Sequence, residues 1–200
     1  MECIKVFNKS IQGANHIANG KPCQDYSISF SKNGVQILVV CDGHGSETYF
    51  RSDVGAKLAA EVTLDILKEF SYSVSANPFS ECSFSITAKP HKNPFVDSEG
   101  NRLRYEDMND SQKRYAKQAQ AYTEASSKCI KEQKMVNELL RQIYTQWKNK
   151  ISIHCNSLPF SSSELSKLNG KNIEKAYGCT LLAYLQTESY WLSFQIGDGR

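Results

Sequence analysis

Two hundred residues suit one domain, or a little less than one large domain, and 40% apolar with 22% charged residues allows a packed core. A net charge of +3 is too weak for the basic stripe of a nucleic-acid binder, so no nucleic-acid partner is expected. No run approaches the roughly 20 apolar residues of a membrane span. The opening Met-Glu-Cys-Ile-Lys-Val-Phe-Asn lacks the apolar core of a signal peptide, so neither membrane association nor export is expected.

Taken in chain order, the first forty-odd residues read as β-structure. Tyr26, Ile28 and Phe30 alternate with serines, the period of a half-buried strand. Asn33-Gly34 supplies the positive φ angles of a tight hairpin turn. Val35 to Cys41 is a nearly continuous apolar run, as in a strand buried on both faces, and it stops abruptly at Asp42. A helix is predicted from about Ser52 to Phe70, with Val54, Leu58, Val62, Ile66 and Phe70 on one apolar face and Ser52 or Asp53 as its cap.

Residues 71–107 are rich in Ser, Asn, Pro and Gly and predict a long insertion-like surface excursion, with a short strand at Cys82–Thr87. Helical composition returns from about Asn109 and ends in a stripe of Leu139, Ile143, Trp147 and Ile151. Ser161-Ser162-Ser163-Glu164 looks like a helix start, with Leu165 and Leu168 as anchors. Thr180–Leu185 and Tyr190–Ile196 then predict a second hairpin around Gln-Thr-Glu-Ser. Strands, helix, a helical middle and strands again indicate an α+β fold in layers. Seven scattered cysteines without a Cys-x-x-Cys pair predict reduced, mostly buried thiols and a reducing, cytoplasmic setting.

Chemistry concentrates at Asp42-Gly43-His44-Gly45. A carboxylate ending a core strand, next to a glycine carbonyl, offers the oxygen ligands that Mg²⁺ or Mn²⁺ prefer. His44 beside it is suited to hand a proton to a leaving group. The plain alternative is a strand-end turn in which Asp42 caps the following backbone.

Three further pieces accompany that tetrapeptide: Gly13-Ala14-Asn15-His16 with Lys21-Pro22-Cys23-Gln24-Asp25-Tyr26, then Gly178-Cys179-Thr180-Leu181-Leu182-Ala183, then Gly197-Asp198-Gly199-Arg200. In this order and spacing the chain resembles the metal-dependent protein phosphatases of type 2C, particularly bacterial members. The resemblance implies a four-layer α-β-β-α sandwich around a central antiparallel β-sandwich, and serine/threonine phosphatase activity on phosphoprotein substrates. It further implies two Mn²⁺ or Mg²⁺ ions that share a water, which attacks the phosphomonoester in line. Carried over by residue, Asp42 would bridge the ions, Gly43 would lend its carbonyl and His44 would be the general acid. Asp25 would hold metal-bound water, and Asp198 would stand beside the ions. His16 and Lys21 are the candidates for the substrate phosphate.

The chain departs from that pattern in places. Gly20 stands where the eukaryotic branch has a phosphate-binding Arg, leaving Lys21 as a point charge without the bidentate fork. Gln24 replaces a Glu common in the family and removes one negative charge. The family has two more metal-binding aspartates beyond the Gly-Asp-x-Arg turn, where this chain stops. Residues 1–200 are therefore expected to be one phosphatase domain without its C-terminal part, dependent on the missing segment as a partner. Two other readings compete. A subtilisin-like protease fails because Glu47 stands where that family's second histidine falls, and no nucleophile turn is present. A catalytically impaired phosphatase-like binding module remains the non-enzymatic alternative.

Overall fold

The computed structural model describes residues 6–74, 78, 95, 99, 101, 103–128 and 130–197. The chain divides into two compact units, residues 1–77 with 138–200, and residues 78–137. The expected strand at Cys82–Thr87 and most of the excursion lie outside the described residues.

The first unit contains a four-stranded antiparallel sheet in the order β1-β2-β3-β4, from Tyr26–Lys32, Val35–Gly43, Cys179–Gln186 and Trp191–Ile196. Both expected hairpins are present. Asn33 and Gly34 turn the first with φ of 54° and 76°, which matches the twist of the flanking strands. Helix α1 (Ala14–Ala18) precedes β1, and α2 (Ser52–Ser73) follows β2 and packs on β1, β2 and β3. Ile37, Val39, Cys41, Leu181, Ala183 and Leu185 are buried and share one face by register. Each of the larger ones contributes about 1.5–3 kcal/mol relative to exposure. The opposite face is open: Val40 is 51% and Leu182 53% exposed.

The run Val35–Cys41 predicted burial on both faces, but β2 is covered mainly on one, with Val40 in the open. Helix α2 also differs from expectation. It continues to Ser73, and its buried surface is wider than the stripe of Val62 and Ile66, taking in Ala56, Ala59, Ala60, Thr63 and Leu67. Neither Ser52 nor Asp53 caps it, because Arg51 holds the cap position and makes no side-chain cap bond. The Ser52 hydroxyl is engaged elsewhere, with the carbonyl of His44.

Helix α3 (Asp110–Lys128) belongs to the second unit and begins where Asn109 and Gln112 exchange hydrogen bonds with each other's backbone N–H. Helix α4 (Ile130–Ser157) enters the first unit at Glu138 and carries the predicted stripe, with Leu139, Ile143 and Ile151 buried and Trp147 half-buried. Helix α5 (Ser162–Leu168) starts with the expected capping box, Ser161 accepting from the Glu164 backbone and Glu164 from that of Ser161. Leu168 is buried while Leu165 is 53% exposed, so only one of the two expected anchors serves.

Arg51 ties these helices together. Its guanidinium donates to the carbonyls of Leu158 at 2.6 Å and Pro159 at 3.3 Å and to the Tyr177 hydroxyl at 3.1 Å. It also pairs with Glu164 at 3.3 Å and lies 4.2 Å over the Phe160 ring. The Ser161 backbone N–H first, and Arg51 after it, hold the Glu164 carboxyl below the usual range. Tyr177 is fully buried, and its hydroxyl also meets His154 Nδ1 at 2.8 Å and Cys155 Sγ at 3.2 Å. Burial, with Cys155 adding to it, pushes the Tyr177 hydroxyl up to about 12. Against this cluster α2 passes at Gly55, where a Cβ would stand 1.9 Å from the Tyr177 carbonyl oxygen. The Gly55 carbonyl accepts from Trp147 Nε1 at 3.0 Å.

Two stability predictions follow from these contacts. Gly55→Ala should lower stability by roughly 2–3 kcal/mol, a melting shift of about 5–10 °C, because two backbones must part. Arg51→Ala should cost about 3 kcal/mol and Glu164→Gln about 1 kcal/mol, since Arg51 leaves two carbonyls undonated whereas Glu164 keeps solvent. Denaturant unfolding of the three variants checks both, and equal costs for Arg51→Ala and Glu164→Gln would contradict the second.

Candidate active site

The ladder between β1 and β2 does not end at Tyr26 opposite Cys41. The Gly43 N–H donates to the Gln24 carbonyl at 3.1 Å, so the pairing runs on and sets Asp25 across from Asp42. Opposite residues of an antiparallel pair share a face, and here it is the open one, with Ser27 and Val40. The two carboxyl groups are thus opposite neighbours on that face. Partial burial and the negative charge of Asp42 raise the Asp25 carboxyl above its ordinary value, while nearby His16 pulls it down. Two like charges set side by side favour a cation between them.

Glycine is required at the turn out of β2. A Cβ on Gly43 would lie 2.5 Å from the Gln24 carbonyl oxygen and 2.9 Å from that of Ser52. Three chain segments thus converge, and Gln24 locks them. Its Nε2 donates to the His44 carbonyl at 3.0 Å and to Ser52 Oγ at 2.7 Å, and Ser52 Oγ donates to the same carbonyl at 2.9 Å. This engagement of Gln24 gives it a structural task that its position in the sequence does not reveal. Its Oε1 is buried and accepts no hydrogen bond from the described residues.

His44 leaves the strand differently. Its N–H donates to the Gly178 carbonyl at 3.1 Å, and its ring lies 4.6 Å from that of Tyr49. Tyr49 in turn carries Lys175 Nζ at 4.4 Å from its ring centre. His44 and Tyr49 line a cavity of about 710 Å³ with Ile143, Trp147, Lys175 and Cys179. The imidazole is therefore directed to this cavity, while the acid pair sits on the open sheet face.

Of the other candidates, His16 lies in α1, and its backbone carbonyl accepts from the Lys21 N–H at 2.9 Å. Lys21 itself is exposed, its own carbonyl taken by Gln12 Nε2. Asp198 lies outside the described residues. Among the described residues no three His, Cys, Asp or Glu side chains gather as a metal-holding group. Four cysteines are described as free thiols, of which Cys41 is buried while Cys23, Cys155 and Cys179 are half-buried. The expectation of mostly buried thiols holds for Cys41 alone among them.

Sequence reasoning missed Ser52, Tyr49 and the Gln24 lock. Their contacts join residues distant in sequence, and the one local signal was a serine beside the helix start that pointed to capping instead.

Among the described residues no helix is long and apolar enough to cross a membrane. No curated protein and no solved structure gives a significant match to the chain. The family model for protein phosphatase 2C matches residues 12–200, which takes in the Asp25–Asp42 pair, the Gly43 turn and both hairpins. The chain belongs to the protein phosphatase 2C family.

Proposed function

We propose that this chain is a metal-dependent serine/threonine phosphatase, hydrolysing phosphomonoesters of proteins with Mn²⁺ or Mg²⁺ as cofactor. Family membership makes it a phosphatase by kinship, and the meeting of Asp25 with Asp42 at the end of the sheet carries the finer reading. The donor set fits a hard divalent cation: two carboxylates, the Gly43 carbonyl and, nearby, the unengaged Gln24 Oε1 are all oxygens. Asp42 and Asp25 would hold the ions, with Asp198 as a further acid in the two-ion arrangement of the reading. When bound, such ions supply Lewis-acid activation of water and neutralise charge on the phosphoryl oxygens.

The chain's own residues do the rest. Asp25 and Asp42, repelling each other when both are ionised, give up that repulsion on binding a cation, so binding is favoured over a single exposed carboxylate. The Gln24–Ser52 lock fixes the Gly43–His44 backbone, which keeps the donors preorganised. His44 is the proton donor to the departing serine or threonine oxygen in this reading, which requires its ring to turn from Tyr49 and the cavity toward the acid face. His16 beside Asp25, with Lys21, would meet the incoming phosphate. The four-layer sandwich belongs to the same reading: the open face with Val40 and Leu182 offers a surface for a second sheet.

Three outcomes are expected. Phosphate release from a phosphothreonine peptide should require Mn²⁺ or Mg²⁺ and fall on the order of a hundredfold in Asp42→Asn. Absence of turnover in every metal would replace the catalytic reading with a phosphatase-like binding module. His44→Ala should lose about a hundredfold on the phosphothreonine peptide but little on an aryl phosphate, whose leaving group needs no proton. Equal losses on both substrates would remove His44 as the acid.

The third outcome concerns pH. A carboxyl whose pKa is raised in the folded state favours that state below its unfolded value, and the advantage is lost as pH rises through the folded value. In the metal-free chain, Asp25→Asn should therefore be the more stable form at about pH 7, by about 1–2 °C given solvent screening, and lose that lead near pH 3. With Mn²⁺ the order should reverse, and thermal melts across pH with and without the ion decide it.

A further inference from the structure

Cys41 and Cys179 lie at the end of the sheet that carries the acid pair. Cys41 immediately precedes Asp42, and Cys179 is the register partner of Gly43. The register pairs Cys41 with Leu181, so the two cysteines are diagonal neighbours on the same face of β2 and β3. The register alone sets the two thiols on one face of neighbouring strands, one diagonal step apart. Their surroundings differ. Cys41 has no solvent exposure, whereas Cys179 forms part of the wall of the cavity beside His44. A small oxidant entering that cavity reaches one thiol and finds the second waiting behind it.

We propose that Cys41 and Cys179 form a peroxide-sensitive dithiol, and that its oxidation to a disulfide disturbs the sheet end bearing Asp25, Asp42 and Gly43. In the first step the Cys179 sulfur attacks one oxygen of a hydroperoxide. An S–O bond forms, the O–O bond breaks, and water or an alcohol leaves after taking up the thiol proton. In the second step the Cys41 sulfur attacks the sulfenic sulfur of Cys179. The S–S bond forms, the S–O bond breaks, and the hydroxyl leaves as water with the Cys41 proton. Two thiols are oxidised, one hydroperoxide is reduced, and no other reactant is needed.

The physical consequence follows from spacing. Diagonal neighbours on adjacent strands ordinarily have Cα atoms about 7–8 Å apart, while a disulfide favours about 5.5–6 Å. Closing the bond therefore draws the ends of β2 and β3 together. Gly43 has no slack to absorb that movement, since its Cα hydrogens already face the carbonyls of Gln24 and Ser52 at a distance that would exclude a Cβ. The displacement passes to the Gly43–Gln24 hydrogen bond and to the carboxylates beside it. The loss of phosphatase activity that this implies rests on the proposed function, but the pairing and its effect on the strand end do not.

The experiment uses the whole chain and hydrogen peroxide, followed by peptide mapping under non-reducing conditions and amide hydrogen exchange without metal. The expected result is a linked pair of peptides containing Cys41 and Cys179, lost on reduction and absent in Cys179→Ser. Exchange of the Gly43 amide should quicken about tenfold in the oxidised wild type and return to its original rate on reduction. Peroxide that leaves both thiols unlinked, or links either to another cysteine, overturns the pairing. A Cys41–Cys179 disulfide with unchanged Gly43 exchange overturns the conformational effect. Mn²⁺-dependent turnover, measured alongside, should fall and recover with the same disulfide. A reduced chain without turnover counts against the phosphatase reading, while the peptide map and exchange rate still judge the dithiol.

Discussion

The hydrogen bond from the Gly43 N–H to the Gln24 carbonyl carries the β1–β2 ladder past the first residue of β1 and onto the loop before it. Without that step, Asp25 would belong to a free loop and Asp42 would be paired only with β3. With it, the alternation of an antiparallel pair places both carboxylates on one face, and the repulsion between them becomes a property of the fold. The approach is tight enough that only glycine fits, and Gln24 and Ser52 fasten it to the start of α2. Under the proposed function, an arrangement so braced would cost little reorganisation on binding a cation.

The same helix start is held from the other side. Arg51 immediately precedes Ser52, so the residue that anchors the α4–α5 connection and the residue that clamps the His44 carbonyl are neighbours in the chain. Arg51 N–H also donates to the Ala176 carbonyl, and Gly55 lets α2 lie against Tyr177. Packing around Tyr177 therefore bears directly on where His44 and Gly178 meet. Buried polar groups such as these cost desolvation, and here nearly every donor of Arg51 finds an acceptor, which turns a liability into a specific joint.

The open sheet face and the cavity beside His44 give the two faces of the sheet end different characters. The Asp25–Asp42 pair lies on one, and an apolar space edged by Lys175 and Cys179 lies on the other. The His44 backbone is bonded to Gly178, and both His44 and Cys179 border that space.

Much of this was legible in the sequence because it depends on local pattern. The serine alternation of β1, the Asn33-Gly34 turn, the Ser161–Glu164 capping box and the α4 stripe each arise from residues within a few positions of one another, and the structure contains all four. The Asp-Gly-His-Gly tetrapeptide and its companions marked the family for the same reason. Covering of β2 on one face, the breadth of the α2 surface and the use of Ser52 as a clamp instead of a cap were decided by tertiary structure. Each depends on which distant segment arrives, and a buried hydroxyl or apolar side chain takes the partner that packing delivers. The sequence by itself determined which carboxylates and thiols were available. Only the register between strands, set by side chains that must all face the core together, decided that Asp25 stands opposite Asp42 and Cys41 diagonal to Cys179.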